Sequence, residues 1–277
     1  MSRATVSARL PLVWLALHRR RRMLVALALG MIVFETLIVV ITSTIPPSQI
    51  FGSGGRPPGA FRAFSGSNGD VSIASYPGLL GAGLTHPFWI AMQLTAIGSL
   101  GAAAVAADIE SGTIELLMTR PVTRTRLLAE RTAALAAASI LLNAAATLTI
   151  AVGVALSPKL HEAVPIGGVF AAGLLGCAFA LCLTGPVLAF SAAGRHRAPV
   201  IGATVALGAV GFALNFVALA WAPAAPLRYL SPFHYYTPAD ALADGSVPWG
   251  SVAVLAAVGL TGTAVAFRLF ARRDLAP

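Results

Sequence analysis

The sequence predicts an all-α membrane protein, a bundle of six transmembrane helices with both termini on the cytoplasmic side. Three observations predict it. Of 277 residues, 57% are hydrophobic and only 10% charged, whereas a soluble domain carries about 25% charged residues. Six apolar runs are each long enough to cross roughly 30 Å of hydrocarbon, which takes about 20 residues of helix. The 19 Lys and Arg residues cluster in alternate loops. Only helices and closed barrels satisfy every backbone group in lipid, and continuous rather than alternating apolar runs favour helices.

Leu10 to Arg22, LPLVWLALHRRRR, places Leu10, Trp14 and Leu17 at helical spacing beside a block of arginines. Such a segment can lie along the inner leaflet with its arginines near anionic headgroups, or can simply be the charged flank of the first span. Residues 1–22 are read as an interfacial helix. The predicted spans are Met23 to Ile45, Pro87 to Ala107, Thr132 to Leu156, Pro165 to Ala192, Pro199 to Trp221, and Trp249 to Phe270. The first is longer than the ~7 to 15 residues of a secretory signal core, and no small-x-small cleavage site precedes Pro46, so it is read as retained.

Orientation follows from the cations. Arg3, Arg9, Arg19, Arg20, Arg21, Arg22, Arg120, Arg124, Arg126, Arg131, Arg195, Arg197, Arg268, Arg272 and Arg273 fall on one side, and Arg56, Arg62, Lys159 and Arg228 on the other. Fifteen against four, alternating loop by loop, puts the richer side in the cytoplasm. The net charge of +9 is thereby a topology signal rather than a nucleic-acid footprint.

The external loop 46–86 is rich in Gly, Ser and Pro, and poor order is expected at least between Gly52 and Gly69. The external loop 222–248 carries Pro223, Pro226, Pro232, Pro238 and Pro248 around Phe233, His234, Tyr235 and Tyr236. That composition fits an interfacial aromatic belt or a short re-entrant element. Within the spans, Gly185-Pro186 marks a candidate kink, and Gly98, Ala102, Gly173, Gly176, Gly208 and Gly211 permit tight helix packing. Cys177 and Cys182 point about 140° apart on a helix, which disfavours a disulfide or a metal pair.

Glu35, midway along the first span, is the one clear intramembrane acid. It is either a substrate or cation contact on the bundle interior, hence a candidate for the substrate path, or a structural group bonded to a neighbour such as Gln93 or Asn143. Catalytic constellations are absent: there is no G-x-S-x-G, no H-E-x-x-H, and His18, His86, His161, His196 and His234 are scattered over both sides. No enzymatic chemistry and no metal is expected in this chain. The only lysine, Lys159, precedes Leu160, so the phosphate-cradling G-x-x-x-x-G-K-[ST] loop is missing.

The densest internal charge lies at 108–131, on the cytoplasmic side. Gly112 permits a sharp turn, Ile114 to Thr119 allows a short helix, and Pro121 disfavours helix at Arg120. Asp108, Glu110 and Glu115 precede Arg120, Arg124 and Arg126, which complements a helix dipole. Ile114, Leu117 and Met118 give the short helix an apolar side. The physics allows either a surface gripped by a soluble partner or an amphipathic turn resting on headgroups.

Glu110, Gly112, Thr113, Glu115, Leu116, Leu117, Pro121, Val122, Thr123 and Arg124 resemble the E-x-G-T-x-E-L-L-x-x-P-[VI]-[ST]-R signature of ABC-2 type permeases, the membrane subunits of a class of ABC transporters. Ser231-Pro232-Phe233 and Arg272-Arg273-Asp274-Leu275 are similar to the family's S-P-F and R-[RK]-D-[LF] segments, so the resemblance spans nearly the whole chain as one transmembrane domain, 1–277. Many relatives carry Lys near the position of Arg131, a modest departure. The resemblance implies that 108–131 is a cytoplasmic coupling loop, with Glu110, Gly112, Thr113, Glu115, Leu116, Leu117, Pro121 and Arg124 coupling this subunit to an ATPase. It also implies a multi-pass protein of the inner (plasma) membrane, a cytoplasmic ABC ATPase subunit dimer that binds ATP and Mg, and a second permease copy or paralogue. The expected activity is ATP-driven export of a lipophilic or drug-like substrate. The alternative is a stand-alone secondary transporter driven by an ion gradient.

Overall fold

The computed structural model describes residues 11–51, 65–68, 71–114 and 122–273, and their regular structure is helical throughout. The order is α1 (Pro11–Arg19), α2 (Arg21–Thr44), α3 (Pro47–Phe51), α4 (Tyr76–Thr85), α5 (Pro87–Ala102), α6 (Ala106–Glu110), α7 (Arg124–Leu156), α8 (Pro158–Ala163), α9 (Ile166–Ala193) and α10 (Arg197–Ala220). A 3₁₀ helix, Ala222–Leu230, then leads to α11 (Pro232–Tyr235), α12 (Pro238–Asp244) and α13 (Trp249–Arg272).

Among the described residues five helices, α2, α7, α9, α10 and α13, are long and apolar enough to cross a membrane. The expected second span, Pro87 to Ala107, is where sequence and structure part. It is not one helix: α5 stops at Ala102 after 16 residues, about 24 Å of helix at 1.5 Å per residue. Preceding it is α4, across a corner built by local chemistry. Pro87 has no N–H and suits the first turn of a helix, while the His86 imidazole Nδ1 accepts the Phe88 N–H at 3.2 Å. The third span differs in the opposite sense, since α7 starts at Arg124, eight residues before the predicted Thr132, with Thr123 Oγ1 accepting the Arg126 N–H at 3.2 Å as its cap.

The core is organised around α9. Its Leu175, Phe179, Ala180, Val187 and Leu188 are fully buried, and it packs most intimately on α13. The two backbones meet at glycines: a Cβ added to Gly185 would lie 2.1 Å from the Gly259 carbonyl oxygen, and one added to Gly259 would lie 2.6 Å from that of Leu181. Such an approach is open only to residues without a side chain. At the candidate kink, α9 runs as one helix through Pro186.

Segment 222–248 packs on the spans. Tyr236 is 2% exposed, stacked on Phe179 at 4.4 Å and Trp89 at 6.0 Å, and donates its phenol to the Leu84 carbonyl at 3.2 Å. Phe233 and Tyr236 are therefore core rather than an interfacial belt, whereas Tyr229 and Leu230 are exposed. Of the stretch from Gly52 to Gly69 expected to be poorly ordered, residues 65–68 are described and are docked: Gly66 accepts the Ala239 N–H at 2.9 Å and Asn68 Nδ2 donates to the His234 carbonyl at 3.2 Å. The rest of that stretch lies outside the described residues. At the N-terminal end, α1 bends off α2 at Arg20 and packs on α7. Ala16 is buried and Leu17 packs inward, while Trp14 is 64% exposed; Leu10 lies outside the described residues.

Candidate functional site

The arginine-rich end of the bundle begins where α5 gives way. Ala102 to Val105 turn tightly, with the Ala104 N–H on the Gly101 carbonyl at 3.0 Å. Restarting a helix there leaves amide donors without intrahelical acceptors, and Ser191 of α9 supplies one: its Oγ accepts the Val105 N–H at 3.2 Å and the Ala106 N–H at 3.1 Å. A hydroxyl from a different span thus caps α6.

From Glu110 the chain turns through Gly112 at φ +69°, with nothing within 4 Å of where its Cβ would lie. Glycine is needed there for backbone conformation, not for space. The Thr113 hydroxyl then donates back to Asp108 Oδ1 at 3.2 Å, and Asp108 Oδ2 accepts Arg131 Nη2 at 3.0 Å. Arg131 also donates Nη1 to the Ala103 carbonyl at 3.2 Å, so one guanidinium joins α7 to both sides of the α5–α6 break. Ile114 is buried in a cluster with Leu127 and Leu128.

Charged groups carry the connection to other helices. Glu110 Oε2 accepts the Arg197 N–H at 2.7 Å and serves α10 as a cap borrowed from α6. Arg124 Nη1 donates to the Arg273 carbonyl at 2.7 Å, and Arg273 Nη1 in turn donates to the carbonyls of Ala192 at 2.6 Å and Gly194 at 2.8 Å, binding α7, α13 and the end of α9. Partial burial, with repulsion from Arg195 as a second cause, lowers the Arg273 pKa below its ordinary value. Glu130 accepts Arg126 Nε at 3.0 Å through one oxygen and the Leu12 N–H at 2.9 Å through the other, which ties in α1.

Of the residues that the sequence nominates for coupling, Glu110, Gly112, Thr113 and Arg124 share this end of the molecule, and Glu110 and Arg124 reach different spans. Glu115, Leu116, Leu117 and Pro121 lie outside the described residues. Sequence reasoning did not find Ser191, Glu130 or the cross-links of Arg273. A lone serine in an apolar run carries no signal of which amides it will cap.

Glu35 stands apart, about 20 Å along α2 from Arg21. It is fully buried, and neither carboxyl oxygen has a hydrogen-bond partner among the described residues. The anticipated structural bond to Gln93 or Asn143 does not form: Asn143 Nδ2 donates to the Ser139 carbonyl at 2.8 Å, and the Gln93 amide has no partner among the described residues. An unsatisfied buried polar group costs roughly 1 to 3 kcal/mol. Glu35→Met, which keeps the length of the side chain, is therefore expected to raise stability by about 1 to 2 kcal/mol, read by thermal unfolding in detergent. A lower unfolding temperature would mean that the carboxyl holds the bundle together.

No group of three or more His, Cys, Asp and Glu side chains is placed to hold a metal among the described residues. A search of curated proteins finds no match to the chain. The family described as ABC-2 family transporter protein matches residues 17–275, which include the break, the web of charges and every helix from α2 to α13. An apolar bundle of spans with a charged end stitched to several of them, matched along almost its entire length, belongs to the ABC-2 transporter family.

Proposed function

We propose that the chain is the permease subunit of an ATP-driven exporter, anchored in the inner (plasma) membrane with both termini cytoplasmic and with α4, α5 and α6 together forming the sixth crossing. A separate cytoplasmic ATPase dimer binds ATP and Mg and grips residues 108–131; a second permease copy or paralogue completes the transporter. The observation that carries this reading is the web around Asp108, Glu110 and Arg124. A push on the loop that leaves at Gly112 would act on α7 through Arg131, on α10 through Glu110, and on α9 and α13 through Arg124 and Arg273. Closure of the ATPase subunits displaces the loop, and the spans reorient as near-rigid bodies to alternate access.

Export of a lipophilic or drug-like substrate accords with two apolar grooves. One, of about 730 Å³, lies between α2 and α7 beside Thr36 and Val39, and another, of about 530 Å³, lies between α7, α9 and α13 beside Leu174 and Leu260. Both fall in the size range of small-molecule sites. Glu35, adjacent to Thr36, belongs to the path as the one acid that reorientation can offer to a substrate. Glu35→Met should then lower transport while leaving assembly intact.

The test is made on the chain assembled with its ATPase. Gly112→Pro cannot adopt φ +69°, and Glu115→Arg reverses a charge at the docking surface. Each is expected to lower substrate-stimulated ATPase activity about tenfold or more, a coupling loss of ~1.4 kcal/mol or above, with assembly measured by copurification unchanged. Normal stimulation in both variants, or transport by the purified chain with no companion protein, would sink the reading.

A further inference from the structure

A cavity of about 260 Å³ opens beside the web, between α1, the α5–α6 break, α7 and the start of α10. Arg19, Arg20, Arg131 and Arg197 line it, against the single carboxylate of Asp108. That carboxylate is already engaged by Arg131 Nη2 and Thr113, and Arg20 spends one nitrogen on Ser99 Oγ at 2.7 Å. Arg131 Nη1 is spent on the Ala103 carbonyl at 3.2 Å, and among the described residues the other side-chain donors have no acceptor. Arg131 is 8% exposed, and its Nε is buried with no hydrogen-bond partner among the described residues, while the Arg19 and Arg197 side chains are exposed at the mouth. Four positive groups converging on a small concavity are costly to hold together unless an anion joins them.

We propose that this cavity binds one phosphate group, carried either by an anionic phospholipid or by a free phosphate. The guanidinium fork matches phosphate oxygens in bidentate fashion. Position favours the lipid source: the arginines flank the ends of apolar spans, where headgroups lie, and Leu100 and Ala134 add apolar wall beside them. Bound there, the phosphate would bridge α1 to α7 and α10 and supply acceptors that the described residues do not. The site is built from this chain alone and does not require an ATPase partner.

The full chain, purified in detergent, is titrated with phosphatidylglycerol, phosphatidylcholine and inorganic phosphate, with bound lipid read by native mass spectrometry and thermal protection in parallel. Phosphatidylglycerol should bind and raise the unfolding temperature; phosphatidylcholine should do neither. At roughly 1 kcal/mol per arginine near the surface, the double variant Arg19→Gln/Arg197→Gln should weaken phosphatidylglycerol binding about 30-fold. Arg195→Gln, an exposed arginine at the same end that does not line the cavity, should leave it unchanged. Protection by inorganic phosphate, lost in the same double variant, would support the site and identify a free phosphate as its ligand. Equal binding of the two lipids with no phosphate effect overturns the proposal, as does an Arg195→Gln loss as large as that of the double variant, which would mean diffuse attraction. The comparison of three probes on the unmodified chain decides the matter even if the double variant folds poorly.

Discussion

Gly259→Leu is expected to destabilise the detergent-solubilised chain by about 3 kcal/mol or more, at the upper end of overpacking costs. The direction is informative because intrinsic preference runs the other way. Leucine is a far better helix former than glycine, by roughly 0.8 kcal/mol, and α13 is an uninterrupted helix at this position. The loss must therefore come from contact with α9, where even the first atom of a side chain would stand 2.6 Å from the Leu181 carbonyl oxygen. Backbone cannot rotate aside as a side chain can, so the two helices have to separate along the seam they share. Gly259→Ala should cost less but still be destabilising. Gly202→Ala, on the exposed face of α10 with nothing within 4 Å of its Cβ position, should instead add about 0.5 to 1 kcal/mol. Thermal unfolding of the three variants checks the ordering. Equal effects at Gly259 and Gly202 would mean that the α9–α13 seam is looser than described.

Asp108→Ala is the second large effect, an expected loss of about 2 to 3 kcal/mol. Removing one partner of a buried pair strands the other, and Arg131 is 8% exposed with two of its nitrogens committed to Asp108 and Ala103. The figure sits below the usual range for a broken buried pair because Asp108 retains 13% side-chain exposure and the arginine-lined cavity lies alongside. Asp108→Ala/Arg131→Met should recover most of the loss, since a packed apolar pair of similar volume often matches a buried ion pair. The double-mutant cycle isolates this coupling from the rest of the web. A change below about 0.5 kcal/mol in the single variant would show that the pair behaves as an exposed one. In that case Arg131 could not transmit displacement of the loop to α7.

The candidate site was legible in part, and the division has a physical cause. Charges crowded at 108–131 mark an unusual loop in any apolar chain, and Gly112 announces a turn because few other residues adopt its backbone angles. Partners across the bundle are another matter. Glu110 and Arg124 stand out as charged residues, but that one would cap α10 and the other reach the carbonyl of Arg273 depends on which helices become neighbours. Ser191 is the sharper case. Nothing in FSAAG suggests that its hydroxyl will end one helix and begin another. The small residues are likewise visible without their roles: Gly185 stands beside a proline in the sequence, whereas its use is the close passage of α13.

By itself, the sequence determined the solvent of this protein, its helical class and where most helices run, because apolar run length and cation placement act locally along the chain. It also carried the signature that identifies its family. Only tertiary structure decided that the second run would be cut at Ala102, that Phe233 and Tyr236 would be buried, and that Glu35 would find no partner among the described residues. Those outcomes turn on hydrogen bonds and packing between segments dozens of residues apart, such as Tyr236 on Leu84 or Ser191 on Val105. Periodicity reports which face of a helix is apolar, but not which neighbour will meet it.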